Sequence, residues 1–243
     1  MHARITVIQP DPTSPLDLFG QWLPEQGVHV NVIDVEKDTI PDAGADDLNL
    51  GDGLIVLGGK YNAYSLEPWA EPVRALLRRA VEDDVPTLGI CLGHQLLAVA
   101  LGGKVSLGAP ESGEFGPTTI TWTDAAGSDD VVADVVRADG IDGTSVVTEN
   151  HNDWAVQLPV GATTLAHSDR GIQAFRAGSA LGVQFHPEGS PASARDWQHR
   201  DREALTIALH ASAEPILVTA RALARGYANQ VKACAAVRRS RAA

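Results

Sequence analysis

The segment from Pro86 to Gln95, PTLGICLGHQ, constrains the fold of this chain more than any other feature. Its first half, PTLGI, has the continuous apolar character of a short strand that is covered on both faces. A helical pattern begins after it, and Cys91 stands between the two elements with Gly89 and Gly93 on either side. Small residues flanking a nucleophile allow the tight strand-to-helix turn called a nucleophile elbow. The segment therefore predicts an α/β fold with Cys91 held above the end of a strand.

The rest of the first hundred residues alternates between strand and helix patterns. Strands are predicted at Arg4–Gln9, Val28–Asp34 and Gly53–Leu57, and helices at Pro15–Gln26, Trp69–Asp83 and Gly93–Leu101. This alternation predicts an open, mostly parallel central sheet with helices on both faces.

Short β-rich runs replace the alternation between Val105 and Gln184. They are Thr118–Trp122, Ser145–Thr148, Thr163–Ala166, Ile172–Arg176 and Ala180–Gln184, and they predict antiparallel strands appended to the sheet. After Pro191 the pattern is helical, with a break at Pro215. We expect residues 1–191 to form the core of one domain and residues 192–243 a helical C-terminal extension packed on it. A dimer contact or a docking site for a synthetase are alternative roles for this extension.

Charge and cysteine content exclude several classes of function. The chain has 31 acidic and 19 basic residues, a net charge of −12, which disfavours binding to nucleic acid. There is no pattern of a signal peptide or membrane span, and two cysteines are too few for a disulfide framework, so we expect a cytoplasmic protein. Cys91 and Cys234 also cannot form a zinc site, and no metal is predicted. Cys234, among alanines and valines, is predicted to be a buried structural cysteine.

A cysteine nucleophile needs a base and a group that orients the base. His186 follows the strand-like ALGVQF and is followed by Pro187 and Glu188. Pro187 restricts the backbone on both sides, so Glu188 could accept a hydrogen bond from one imidazole nitrogen while the other takes the proton of Cys91. The backbone N–H of Leu92 is placed to donate to a developing oxyanion.

The segments GICLGHQ and GVQFHPE, in this order, resemble those that carry the Cys-His-Glu triad of the class I glutamine amidotransferases. The resemblance extends from about Ile5 to Pro191. It implies a flavodoxin-like fold and hydrolysis of glutamine. Leu57-Gly58-Gly59 resembles the oxyanion loop of the family, which places the N–H of Gly59 opposite that of Leu92. The family often has proline at the next position, where this chain has Lys60.

Two further segments are similar to the amidotransferase domain of GMP synthetase. They are Glu114-Phe115-Gly116 and a loop, Glu149–Asp153. The resemblance implies that the backbone around Asn150 and His151 grips the α-amino acid end of the substrate, with Gly58 and Gln95 also in contact. For His151, shaping this loop is an equal alternative.

The resemblance implies acyl transfer through a γ-glutamyl thioester, without a cofactor. The sequence has no GxxxxGK[ST] phosphate loop with which to activate an acceptor. Our first hypothesis is therefore a glutaminase that supplies ammonia to a separate synthetase. The second hypothesis is a stand-alone γ-glutamyl hydrolase acting on γ-glutamyl amides or peptides, and the third is a non-catalytic binding or regulatory module. The sequence does not predict the oligomeric state.

Overall fold

A computed structural model describes residues 3–108, 113–138, 143–190, 193 and 202–242. The strands are β1 Ala3–Gln9, β2 Val28–Asp34, β3 Gly53–Val56, β4 Thr87–Ile90, β5 Lys104–Ser106, β6 Glu114–Trp122, β7 Thr144–His151, β8 Trp154–Gln157, β9 Thr163–His167, β10 Ile172–Ala177 and β11 Ala180–Val183. The α-helices are α1 Asp17–Glu25, α2 Ala70–Glu82, α3 Leu92–Ala100, α4 Ala133–Ala138, α5 Arg202–Ala211 and α6 Ala213–Ala242.

Nine of these strands form one mixed sheet in the order β2-β1-β3-β4-β11-β10-β9-β6-β7. The first five are parallel to one another, and β10, β9, β6 and β7 continue the sheet with antiparallel pairing. The predicted parallel sheet with appended antiparallel strands is confirmed. Strands β5 and β8 form a separate antiparallel pair that the sequence analysis did not predict.

Side chains of β3 alternate between two hydrophobic cores, one on each face of the sheet. Leu54 and Val56 contribute to the core that contains α2 and α3, whereas Ile55 contributes to the core that contains α1 and α6. Both faces of this central strand are therefore covered by helices, as predicted. The C-terminal ends of β3, β4 and β11 meet at one edge, where open α/β sheets assemble their sites.

Strands β6 and β7 extend further than predicted. The segment Glu149–Asp153 was expected to be a loop, but Glu149–His151 belongs to β7 and pairs with Glu114–Gly116 at the start of β6. The prediction was wrong because hydrogen bonding to a distant strand stabilises these residues in an extended form despite their local propensity.

The helical C-terminal region also differs from the prediction in its boundary. The break lies at Ser212, between α5 and α6, and Pro215 is in the first turn of α6. Proline is tolerated there because the N–H groups of the first turn have no acceptor within the helix. The predicted division between residues 191 and 192 lies outside the described residues. Within the part of the chain that the structure describes, no helix has the length and hydrophobicity needed to cross a membrane.

Candidate active site

Cys91 occupies the turn between β4 and α3. Its φ of 51° is in the left-handed region, which is strained for any residue other than glycine. The N–H of Cys91 donates to the carbonyl of Val183 in β11 at 2.9 Å, and its carbonyl accepts the N–H of Gln95 at 3.1 Å. These two bonds fix the turn, so that the strained backbone holds the thiol at the carboxyl edge of the sheet.

Two glycines allow β4, α3 and β3 to approach one another at this turn. A Cβ on Gly89 would lie 2.5 Å from the carbonyl oxygen of Gly93, and a Cβ on Gly93 would overlap the carbonyl oxygen of Val56. No side chain fits at either position, which is the physical reason for the small residues around Cys91.

His186 and Glu188 form a buried pair directly after β11. Nδ1 of His186 is 2.9 Å from Oε1 of Glu188, and both side chains are almost inaccessible to solvent. The backbone supports both residues, since the N–H of His186 donates to Thr148 and the carbonyl of Glu188 accepts the N–H of Leu18. Burial lowers the pKa of His186, but the charge of Glu188 and the charge and hydrogen bonding of Cys91 outweigh it and raise this pKa well above its ordinary value. The imidazolium form is thus favoured beside Cys91.

The segment after β3 lies against the same centre. A Cβ on Gly58 would be 2.9 Å from Cε1 of His186 and 3.5 Å from Cβ of Cys91. A Cβ on Gly59 would be 3.4 Å from Cδ2 of Leu92. Leu92 is the first residue of α3, so its N–H has no acceptor within the helix. The structure therefore brings Gly58, Gly59 and Leu92 together around Cys91.

An open cavity of about 400 Å³ contains the thiol of Cys91. The predicted site residues that line it are Cys91, His186, Gly59, Leu92, Gln95, Asn150 and His151. Glu188 lies behind His186, and Gly58 beneath the cavity surface, against His186 and Cys91. The amide nitrogen of Gln95 is already used inside the protein, since it donates to the carbonyl of Asp153 at 2.8 Å and to Oε1 of Gln184 at 3.2 Å.

Two buried carboxylates beside the cavity were not recognised as site residues from sequence. Nε2 of His151 is 3.3 Å from Oε2 of both Glu114 and Glu149. Burial raises the pKa of Glu149. Burial would also raise the pKa of Glu114, but hydrogen bonds from His151 and Ser168 outweigh it and lower this pKa. The sequence feature that could have identified Glu149 is its spacing from His151. The two are two residues apart, which places both side chains on one face of a strand.

These three side chains are of the kinds that bind divalent cations, and their ligand atoms lie within 4.8 Å of one another. The imidazole of His151 already pairs with both carboxylates, so we assign no metal to them.

Two residues lie apart from this centre. His94 is fully buried in α3 with its ring against Phe175, and burial lowers its pKa to about 3, so it is neutral. Cys234 is partly exposed in α6, with Sγ 3.9 Å from the carbonyl oxygen of Asp84. The prediction that Cys234 is buried was wrong, because its position in α6 lies at the margin of the helix face that contacts the sheet.

Residues 19–198 match the model of the glutamine amidotransferase class-I family. The GMP synthase (glutamine-hydrolyzing) of Pyrobaculum aerophilum is 33% identical over 176 residues, which are 70% of this chain and 30% of that protein. The chain thus spans less than a third of that relative. A glutamine-hydrolyzing GMP synthase subunit of Sulfolobus acidocaldarius is 34% identical over 155 residues, 61% of this chain and 73% of the relative.

A peptidase and a solved structure are also similar to this chain. Gamma-glutamyl peptidase 5 of Arabidopsis thaliana is 29% identical over 179 residues, 71% of this chain and 66% of the relative. The crystal structure of a glutamine amidotransferase from Thermotoga maritima has a TM-score of 0.78 at 23% identity, covering 96% of this chain and 99% of that one. The fold is shared with that structure, and by the match over most of its length this chain belongs to the class I glutamine amidotransferase family.

Proposed function

We propose that this chain hydrolyses the side-chain amide of L-glutamine, with Cys91 as the nucleophile, His186 as the acid–base group and Glu188 as the residue that orients His186. The observation that carries the proposal is the 2.9 Å contact between Nδ1 of His186 and Oε1 of Glu188, behind a cysteine on a strained strand-to-helix turn. A non-catalytic module would have no use for this strained backbone or for a buried charged pair, both of which cost stability.

The reaction proceeds in two acyl-transfer steps. The thiolate of Cys91 attacks the γ-carbonyl carbon, and the N–H groups of Gly59 and Leu92 stabilise the oxyanion that forms. His186 gives its proton to the departing ammonia, which leaves a γ-glutamyl thioester on Cys91. His186 then takes a proton from water as the water attacks the thioester, the C–S bond breaks, and the γ-carboxylic acid leaves and ionises to glutamate, which restores the Cys91 thiolate beside protonated His186. The backbone around Asn150 and His151 holds the glutamyl end of the substrate together with Gln95, whereas Gly58, beneath the cavity surface, supports the site without touching the substrate.

The ammonia produced in this way passes to a separate enzyme that activates an acceptor. The similarity to a GMP synthase subunit of Sulfolobus acidocaldarius supports this part of the proposal, since that relative is itself one subunit of a larger enzyme. An ATP-dependent synthetase is the class of partner that this proposal requires.

A second candidate function is hydrolysis of γ-glutamyl amides or peptides by the chain alone. It is favoured by the cavity, which extends from the ends of β6 and β7 past Cys91 to Thr13, Ser14 and Tyr61 in the segments after β1 and β3. In this second proposal the part of the cavity toward Thr13, Ser14 and Tyr61 receives a group larger than NH₂ beyond the γ-carbonyl. The similarity to a gamma-glutamyl peptidase is consistent with it.

The first experiment is to measure release of glutamate and ammonia from L-glutamine by the purified chain. Cys91→Ala should abolish turnover, because no other group can form the thioester. Cys234→Ala is the matched control, since Cys234 lies in α6 away from the cavity, and it should retain full turnover. Substantial residual activity in Cys91→Ala would contradict the assignment of the nucleophile.

The two candidate functions differ in the ratio of kcat/KM values for L-glutamine and for γ-glutamyl dipeptides. An ammonia-supplying enzyme should prefer L-glutamine. A γ-glutamyl hydrolase should prefer the dipeptides by about tenfold or more, since contacts of the second residue with the part of the cavity near Thr13, Ser14 and Tyr61 add to binding in the transition state. Both substrates should lose turnover in Cys91→Ala.

A further inference from the structure

Asp11 follows β1 at the same edge of the sheet as Cys91, and it is fully buried. Its Oδ1 accepts hydrogen bonds from the backbone N–H of Thr13 at 2.9 Å and from the hydroxyl of Thr13 at 2.8 Å. Its Oδ2 accepts the backbone N–H of Lys60 at 3.0 Å. Burial would raise the pKa of Asp11, but these hydrogen bonds outweigh it and lower the pKa. An ionised carboxylate thus joins the segment after β1 to the segment after β3.

The segment that Asp11 holds, Gly58–Lys60, has little to fix its own shape, because consecutive glycines have wide conformational freedom. A Cβ on Gly59 would be 2.9 Å from Cβ of Asp11 and 3.4 Å from Cδ2 of Leu92, so the backbone is packed tightly between them. The hydrogen bond from the N–H of Lys60 fixes the peptide plane that joins Gly59 to Lys60. The preceding plane carries the N–H of Gly59, the proposed oxyanion donor.

We propose that Asp11 is a positioning residue that holds Gly58–Lys60 in the shape required to bind the oxyanion, so that no partner protein is needed to align this segment. The inference rests on the proposed function, since Asp11 acts only through the N–H of Gly59. A donor that is anchored beforehand needs no rearrangement when the oxyanion forms. The anchor depends on the residue at position 60, because a proline there would have no N–H to donate.

The first test is the substitution Asp11→Asn. The NH₂ group of asparagine donates hydrogen bonds and cannot accept them, so the new side chain cannot accept hydrogen bonds from both Thr13 and Lys60. We expect kcat for L-glutamine to fall by about 10- to 100-fold with KM changed less than about twofold, since the lost interaction is made in the transition state. Asp34→Asn is the matched control. Asp34 ends β2 and accepts the N–H of Glu36 at 3.0 Å in the same way, but it lies outside the cavity, and kcat should not change.

The second test isolates the N–H of Lys60. Lys60→Ala and Lys60→Pro both remove the ammonium group, but only proline removes the N–H. Lys60→Pro should therefore have a kcat at least about tenfold below that of Lys60→Ala. Adding Asp11→Asn to Lys60→Pro should cause little further loss, because both changes break the same hydrogen bond. Additive losses in this double-mutant cycle would overturn the proposal.

The inhibition constant of a γ-glutamyl aldehyde distinguishes a role of Asp11 in binding the oxyanion from a purely structural role, which would leave this constant unchanged. The carbonyl carbon of the aldehyde forms a bond with Sγ of Cys91 as the C=O π bond breaks, the proton passes from His186 to the former aldehyde oxygen, and this oxygen takes the place of the oxyanion. The inhibition constant of this probe should rise in Asp11→Asn by the factor by which kcat/KM falls. Binding of L-glutamine in the Cys91→Ala background should be unchanged, as should the thermal midpoint to within a few degrees.

The outcomes separate the two proposals. Wild-type kcat in Asp11→Asn, or an unchanged inhibition constant, would overturn the role of Asp11 while leaving the proposed function intact. A wild-type chain that hydrolyses glutamine only after a synthetase is added would overturn the claim that no partner is needed. A wild-type chain that hydrolyses neither L-glutamine nor γ-glutamyl-p-nitroanilide and does not bind the aldehyde would overturn the proposed function and the role of Asp11 together.

Discussion

His151 uses both of its ring nitrogens inside the protein. Nδ1 is 3.0 Å from the carbonyl oxygen of Asp153, which can only accept, and Nε2 faces the carboxylates of Glu114 and Glu149. Both nitrogens therefore carry protons. Burial lowers the pKa of His151, but hydrogen bonds to Glu114 and Glu149 outweigh it and raise the pKa to about 10. His151 therefore forms part of the wall of the cavity as a cation.

This cluster predicts a pH-dependent effect of His151→Gln on stability. The pKa of His151 in the folded protein, about 10, lies above the ordinary value of 6.5. Protonated His151 therefore stabilises the folded state fully below about pH 6.5, and this contribution is lost as the pH rises through about 10. At pH 6 we expect the variant to lose about 3–5 kcal/mol of unfolding free energy, because two buried carboxylates lose their partner. Urea unfolding at pH 6 and pH 10 would measure it.

The control for this prediction is His210→Gln, at an exposed position in α5, which should change stability little at either pH. A loss in His151→Gln that is equally large at pH 10 would mean that packing, and not charge, is what His151 contributes.

Glu188 and His186 should differ in how strongly their loss affects turnover. In Glu188→Gln the carboxamide oxygen can still accept the proton on Nδ1, so the ring keeps its orientation and kcat should fall by about 10- to 100-fold. His186→Ala removes proton transfer itself, which contributes about 10²- to 10⁴-fold, and should lower kcat further. Steady-state kinetics with L-glutamine would compare them, and a greater loss in Glu188→Gln would reverse the two roles.

The strand β4, the turn at Cys91 and the helix α3 could be predicted because the sequence features that indicate them are local. The apolar run before Cys91 and the glycines around it are contiguous in sequence. Strands β5 and β8 could not be predicted, since they are short and are stabilised by each other and by Tyr64, whose hydroxyl group bonds both the N–H and the carbonyl of Val105. The role of Asp11 was missed for the same reason, because its partner Lys60 is distant in sequence.

The close packing of β3 against α3 predicts that Gly93→Ala destabilises the protein. The added methyl group would overlap the carbonyl oxygen of Val56, and backbone atoms on both sides cannot yield as a flexible side chain would. We expect a loss of about 1–3 kcal/mol or more in unfolding free energy, measured by thermal or urea unfolding. Gly127→Ala is the control, because nothing lies within 4 Å of its added Cβ. Equal stability of the two variants would show that α3 can shift away from β3 without cost.

The C-terminal helix α6 completes one of the two cores on either face of the sheet. Its buried side chains Leu223, Tyr227 and Val231 belong to the same core as Ile5 and Phe19 near the start of the chain. The sequence predicted a helical extension here, and a helical pattern alone fits packing on the domain, a dimer contact or a docking site for a synthetase equally well. The contact of α6 with this core depends on segments distant in sequence, and no local pattern contains that information.

Tyr227 provides a test of how strongly α6 is tied to the sheet. Its buried hydroxyl donates to the carbonyl of Leu54 at 2.9 Å, with the carbonyl of Pro86 at 3.3 Å, which bridges β3 and the start of β4. Tyr227→Phe should cost about 1–2 kcal/mol, because the carbonyls lose a buried donor, and Tyr227→Ala about 3–5 kcal/mol, because a cavity is added. Tyr64→Phe, with a partly exposed hydroxyl, should cost less than Tyr227→Phe, since water can replace the lost bonds. Urea unfolding would measure the three variants.

The same variant should leave turnover unchanged. In Tyr227→Phe, kcat for L-glutamine should stay at the wild-type value, because Tyr227 lies beneath the sheet and outside the cavity. A large loss of kcat without a loss of stability would instead mean that α6 acts on the catalytic centre through β3 and β4.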